Sequence, residues 1–112
     1  MAAHITLQEL TTQTAASATQ PIQDAVDVGS YGLLMVQLRL PKTASAGTLK
    51  LQHAAILEES AFTDITSPTF DLTGAANQVN KFAEVLRFVR WTCSGLTGGP
   101  ASFAIHIIAR ES

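Results

Sequence analysis

A chain of 112 residues has room for one domain and not for a second. Hydrophobic residues make up 46% of it and charged residues only 14%, against about 25% in an average soluble domain, so a surface of Thr, Ala, Ser and Gln is expected to be covered in use. The net charge of −2 and the scattered basic residues (Arg39, Lys42, Lys50, Lys81, Arg87, Arg90, Arg110) exclude a phosphate-tracking cluster, and with it nucleic-acid binding.

The chain's one cysteine, Cys93, excludes an intrachain disulfide and a cysteine-based zinc site. No stretch approaches the roughly 20 apolar residues of a membrane span. The N-terminal MAAHITLQEL lacks a basic region followed by an apolar run, so a secretory signal is not expected there and synthesis in a cytoplasm is.

In chain order, Ile5 to Leu10 reads as a short strand. Residues 11–20 are small, polar and aperiodic, so residues 1–20 form an N-terminal arm or an edge strand, and residues 21–112 form the domain. Ile22 to Val28 is a second short strand. Tyr31 to Leu40 alternates Leu34, Val36, Leu38 and Leu40 against Leu33, Met35, Gln37 and Arg39, and Pro41 is expected to stop it. After the turn at residues 42–47, Thr48 to Leu57 sets Leu49, Leu51, His53, Ala55 and Leu57 against Lys50, Gln52, Ala54 and Ile56. Glu58 to Pro68 reads as an irregular crossover that dips Phe62 and Ile65 into the core.

Phe70 to Thr73 and Val79 to Phe82 are short strands, although a helix over Asn77 to Arg87 competes. Glu84 to Cys93 places Val85, Arg87, Val89, Trp91 and Cys93 on one face and Leu86, Phe88 and Arg90 on the other. The Gly/Pro-rich SGLTGGP segment at residues 94–100 turns the chain into Ala101 to Arg110, whose Phe103, Ile105, Ile107 and Ala109 share a face. These elements make an all-β chain: a single antiparallel β-sandwich or jelly-roll-like domain of about seven or eight strands. Its expected core is Leu34, Val36, Leu38, Leu49, Leu51, Val89, Phe103, Ile105 and Ile107, all beyond residue 30, so loss of residues 1–20 should spare the fold. Trp91 belongs to that core unless the face of Leu86 and Phe88 is the buried one.

Catalytic signatures are absent: there is no nucleophile elbow, P-loop or GxGxxG, and the acidic residues have no calcium-loop spacing. His4, His53 and His106 fall on separate strands, which makes a metal site an accident of folding, and a strand cysteine is by default an inert buried thiol. No enzyme activity, cofactor or metal is expected. The informative anomaly is apolar character on both faces of several strands, where a sandwich normally shows polar residues outward. Leu33, Met35, Ile56 and Ile108 are therefore candidate partner-interface residues. Arg90 joins them because Arg is enriched at interface anchors, against the plain reading that it covers apolar surface and meets a carboxylate.

Leu49 to His53, Phe62 with Asp64, Leu86 to Arg90 and Ser102-Phe103 carry a resemblance. In that order they resemble the pattern of small β-sandwich virion proteins of tailed bacteriophages, over about the C-terminal two-thirds of the chain; residues 1–30 have no counterpart. The resemblance implies a virion structural role similar to that of head decoration (cement) proteins. Such a protein binds the outside of the shell, with the major capsid protein or other virion subunits as partners and with copies of itself in a homo-oligomer. A tail- or fibre-associated receptor- or carbohydrate-binding module is the alternative, and it requires exposed aromatics such as Trp91 beside Tyr31.

Overall fold

The alternation that dominates the sequence is realised as strands. A computed structural model describes residues 2–111, and in it the strands are β1 (Ala2–Gln13), β2 (Ala18–Thr19), β3 (Val26–Asp27), β4 (Leu33–Lys42), β5 (Ala46–Ala54), β6 (Thr63–Asp71), β7 (Asn77–Phe82), β8 (Phe88–Thr97) and β9 (Ala101–Arg110). They form two sheets of order β1-β9-β4-β7 and β2-β8-β5-β6, with β3 also on β8. β2 pairs with Thr92–Cys93 and β3 with Phe88–Val89, so together they are one edge strand interrupted by a 3₁₀ turn at Ile22–Asp24. Counted so, the first strand pairs with the eighth, the second with the seventh, the third with the sixth and the fourth with the fifth. A long antiparallel ribbon wrapped round one core in this way is a jelly roll.

Every one of the nine core residues expected from periodicity is 0% exposed. The core also takes residues from outside that set. Leu7 on β1 and Val28 after β3 are buried, so the core reaches back before residue 30, and Phe70, Leu72 and Phe82 complete it. Trp91 is 3% exposed and meets the Phe103 ring edge-on, with centroids 5.1 Å apart. The face of Leu86 is the outer one, and Leu86 is exposed.

Several boundaries differ from the periodic reading, each for a physical reason. Ile22 to Val28 is not one strand, because Pro21 and the 3₁₀ turn leave only Val26–Asp27 paired. β5 ends at Ala54 because its partner β8 begins at Phe88, which leaves residues 55–57 nothing to pair with. The expected crossover at 58–68 is irregular only to Phe62, after a 3₁₀ turn at Glu59–Ala61; β6 then runs from Thr63 straight through Pro68. An edge strand tolerates a residue without an N–H, which is why Pro68 does not end it. β4 lies between β9 and β7 and is carried past Pro41 differently, by a register shift between Arg39 and Lys42 that begins where its pairing with β7 ends. Residues 77–82 are strand and not helix, and β8 begins at Phe88 and not at residue 84 because the backbone reverses at Glu84, whose φ is +58°. Gly98, at φ +61°, makes the tight β8–β9 connection, where any Cβ would collide with the Ser45 side chain.

The two open sides of the sandwich are closed by side chains. On one side Gln20, 2% exposed, donates from Nε2 to the Leu7 carbonyl at 2.7 Å, and its Oε1 accepts from the Trp91 N–H at 3.3 Å. The indole Nε1 donates to Gln8 Oε1 at 2.9 Å. On the other side Asn80 Nδ2 donates to the Thr69 carbonyl at 3.0 Å, and Gln78 exchanges hydrogen bonds with the Asp71 backbone. Among the described residues, no helix is long and apolar enough to cross a membrane.

Candidate interaction surfaces

The register of β4, β7 and β9 decides which side chains meet outside the sandwich. Because Leu34, Val36, Leu38 and Leu40 point inward, Leu33, Met35, Gln37 and Arg39 point outward. Ile108 stands opposite Met35, Arg110 opposite Leu33, and Val79 opposite Gln37. His4 on β1 stands opposite Ile108. His4, Met35, Gln37, Val79, His106 and Ile108 line a shallow groove of about 290 Å³. Its apolar rim is accessible: Val79 is 57% exposed and Ile108 41%. The rings of His4 and His106 stack at 5.5 Å between centroids, and His106 Nδ1 is buried without a hydrogen-bond partner.

The charged side chains of β4, β7 and β9 are all basic. Arg39, Lys81 and Arg110 are exposed on the same face, and β4, β7 and β9 contain no Asp or Glu. Among the described residues, none of these three cations takes part in an ion pair.

The other sheet has a different outer surface. Arg90 is 4% exposed, and its Nε donates to Gln52 Oε1 at 2.8 Å. Its Nη1 and Nη2 donate to the two oxygens of Glu59 at 2.8 and 3.0 Å. The guanidinium lies over the Phe62 ring, 4.3 Å from the centroid, and Gln52 Nε2 donates onward to Asp64 Oδ1 at 2.8 Å. The Arg90 hydrogen bonds hold the Glu59 carboxyl below its ordinary pKa of 4.5. Gln52, Phe62, Asp64 and Arg90, which stand in three separate stretches of the resemblance pattern, thus meet in one cluster.

That cluster braces the loop from β5 to β6. The Glu58 N–H donates to the Ile56 carbonyl and the Ala61 N–H to the Glu58 carbonyl, both at 3.0 Å. Above this base Ile56 and Leu57 project to solvent, 53% and 50% exposed. Residues 55–64 carry Glu58, Glu59 and Asp64 and no basic residue.

The five candidate residues therefore divide. Leu33, Met35 and Ile108 share the outer face of the β1-β9-β4-β7 sheet; Ile56 sits on the loop of the opposite sheet; Arg90 lies beneath that loop, in a cation–carboxylate cluster. Val79, His4 and Leu57 extend these surfaces without having been singled out, because only cross-strand register brings the first two to the groove and only the early end of β5 exposes the third. Arg87 escapes to the sheet edge and pairs with Asp27 at 2.9 Å. The aromatic platform that a sugar module needs is not formed, since Trp91 is buried and Tyr31 packs against the core. Among the described residues no group of three or more His, Cys, Asp or Glu side chains could hold a metal ion.

No protein-family model and no curated protein sequence matches the chain. Solved structures similar to it include the following two. A chain from infectious bursal disease virus, Gx strain, is 12% identical over 96% of this chain and 31% of the viral one, with a TM-score of 0.38. A chain from Bacillus endospore appendages, described as a novel family of disulfide-linked pili, is 16% identical over 99% of this chain and 89% of its own length, with a TM-score of 0.55, and that likeness establishes a shared fold.

Proposed function

We propose that this chain is a non-catalytic structural subunit of an assembled particle, and within that class a decoration protein bound to the outside of a bacteriophage capsid. The observation that carries the reading is the outer face of the β1-β9-β4-β7 sheet. A free sandwich turns polar side chains to water there, whereas this one turns Leu33, Met35, Val79 and Ile108 outward within one continuous surface. The resemblance to small virion sandwiches supports the capsid assignment, and the jelly-roll fold suits it, being common among capsid domains. Many copies with modest individual contacts would stiffen a shell by multivalency. Cross-linking through cysteine does not suit this chain, because its only thiol, Cys93, is 2% exposed and burial raises its pKa.

The test is co-sedimentation of the purified protein with particles assembled from the genome that encodes it. Wild-type protein is expected in the particle fraction, and the double variant Met35→Lys/Ile108→Lys, at positions that face outward, is expected to bind about tenfold more weakly or worse. Wild-type protein left at the top of the gradient would refute the reading. Equal binding by the double variant would remove this face as the contact.

A further inference from the structure

We propose that the groove on the β1-β9-β4-β7 sheet receives the β5–β6 loop of a second copy of this chain, in a head-to-tail contact. This deepens, and rests on, the reading of that face as a packing surface within a particle: the neighbour it meets there is another copy on the shell, and loss of that contact weakens particle binding by removing multivalency.

The two surfaces are complementary in shape, polarity and charge. One is a shallow groove lined by the apolar side chains of Met35, Val79 and Ile108, on a face where strand register also places Arg39, Lys81 and Arg110. The other is a projecting apolar pair, Ile56 and Leu57, followed directly by Glu58 and Glu59. Buried Arg90 offsets one of the loop's two carboxylates, Glu59, and leaves Glu58 unpaired among the described residues, so the loop stays acidic where β4, β7 and β9 turn only basic charges outward. Opposed potentials of this kind set partner choice and register. The loop is also held in shape before any contact forms, by its internal backbone hydrogen bonds and by the clamp of Arg90 on Glu59. Prior order of that kind reduces the entropy lost on docking. Groove and loop lie on opposite sheets, so the groove of one copy can hold the loop of the next while its own loop stays free. A contact between two different surfaces closes into a ring or extends into a chain, according to the rotation at each step.

Two variants break opposite halves of this contact without touching the core: Val79→Asp in the groove and Ile56→Ser/Glu58→Lys on the loop. Light scattering over a concentration series is expected to show wild-type protein growing beyond the monomer, less so at high salt. Each variant alone is expected to remain monomeric with an unchanged circular dichroism spectrum. An equimolar mixture of the two retains one intact groove and one intact loop, so it is expected to form a one-to-one dimer and nothing larger. A wild-type protein that stays monomeric at high micromolar concentration overturns the head-to-tail contact and leaves the particle-binding test unaffected. Loss of association in the groove variant but not in the loop variant overturns it too, and assigns the face a different occupant. A mixture that stays monomeric overturns it in favour of a symmetric contact.

Discussion

Replacing Trp91 with Ala tests the central packing of the sandwich. The indole is 3% exposed, meets Phe103 edge-on at 5.1 Å and donates Nε1–H to Gln8. Truncating a buried aromatic to Ala costs about 3–5 kcal/mol. The edge-to-face contact contributes about 0.5–1.5 kcal/mol and the hydrogen bond about 1 kcal/mol, so the upper part of that range applies here. Set against a total of about 5–15 kcal/mol for a domain, the loss is a large share of the stability. At about 4 °C per kcal/mol for a chain of this length, the melting temperature should fall by roughly 15–20 °C. Urea unfolding followed by far-UV circular dichroism measures this, with an unchanged m-value showing that the same surface unfolds. Trp91→Phe keeps a ring against Phe103 and loses the indole donor, so it should cost markedly less. A melting temperature for Trp91→Ala within about 4 °C of wild type would refute the packing argument and make the indole dispensable.

Two further outcomes follow from side chains that tie the sheets together. Deleting residues 1–20 should abolish cooperative unfolding, because it removes the β1 ladder on β9, buried Leu7 and the Gln20 bridge; a truncated protein with the wild-type melting temperature would contradict this. His53 is held below its ordinary pKa of 6.5 by burial, and its Nδ1 accepts the Leu86 N–H at 3.1 Å. As pH falls, the unfolded chain therefore takes up that proton first. The contribution of His53 is complete above about pH 6.5 and is lost as pH drops through the lower folded value. His53→Gln should flatten the loss of stability as pH falls below about 6.5, and parallel losses in variant and wild type would exclude His53 as the source.

How much of this was legible in the sequence depended on whether a property is local. Periodicity along β4 and β9 identified core residues that are fully buried, since alternation needs only neighbours in the chain. The β6 strand was hidden because Pro68 and the acidic residues punctuate it like a loop, and only its position at a sheet edge makes Pro68 harmless. The apolar outer face was visible as two-sided strands, but its charge was not: Arg39, Lys81 and Arg110 look scattered in sequence, and the pairing of β4 with β7 and β9 brings them to one face. Arg90 was assigned to an interface on residue type, yet its surroundings are set by Glu59, Phe62 and Gln52, roughly 30 to 40 positions away.

The edges of the two sheets have a consequence for the protein's life at high local concentration. β1 is bulged between Thr6 and Thr11, and its Leu7 carbonyl is already taken by Gln20. The β2–β3 edge is broken by the turn at Ile22–Asp24, β6 contains Pro68, and β7 carries Lys81 beside side chains bonded to the β6 backbone. None of them offers a neighbour an uninterrupted row of free N–H and C=O groups, so crowded copies are protected from adding strand to strand into fibrils. Association is left to side chains on faces and loops, which separate without breaking a backbone ladder.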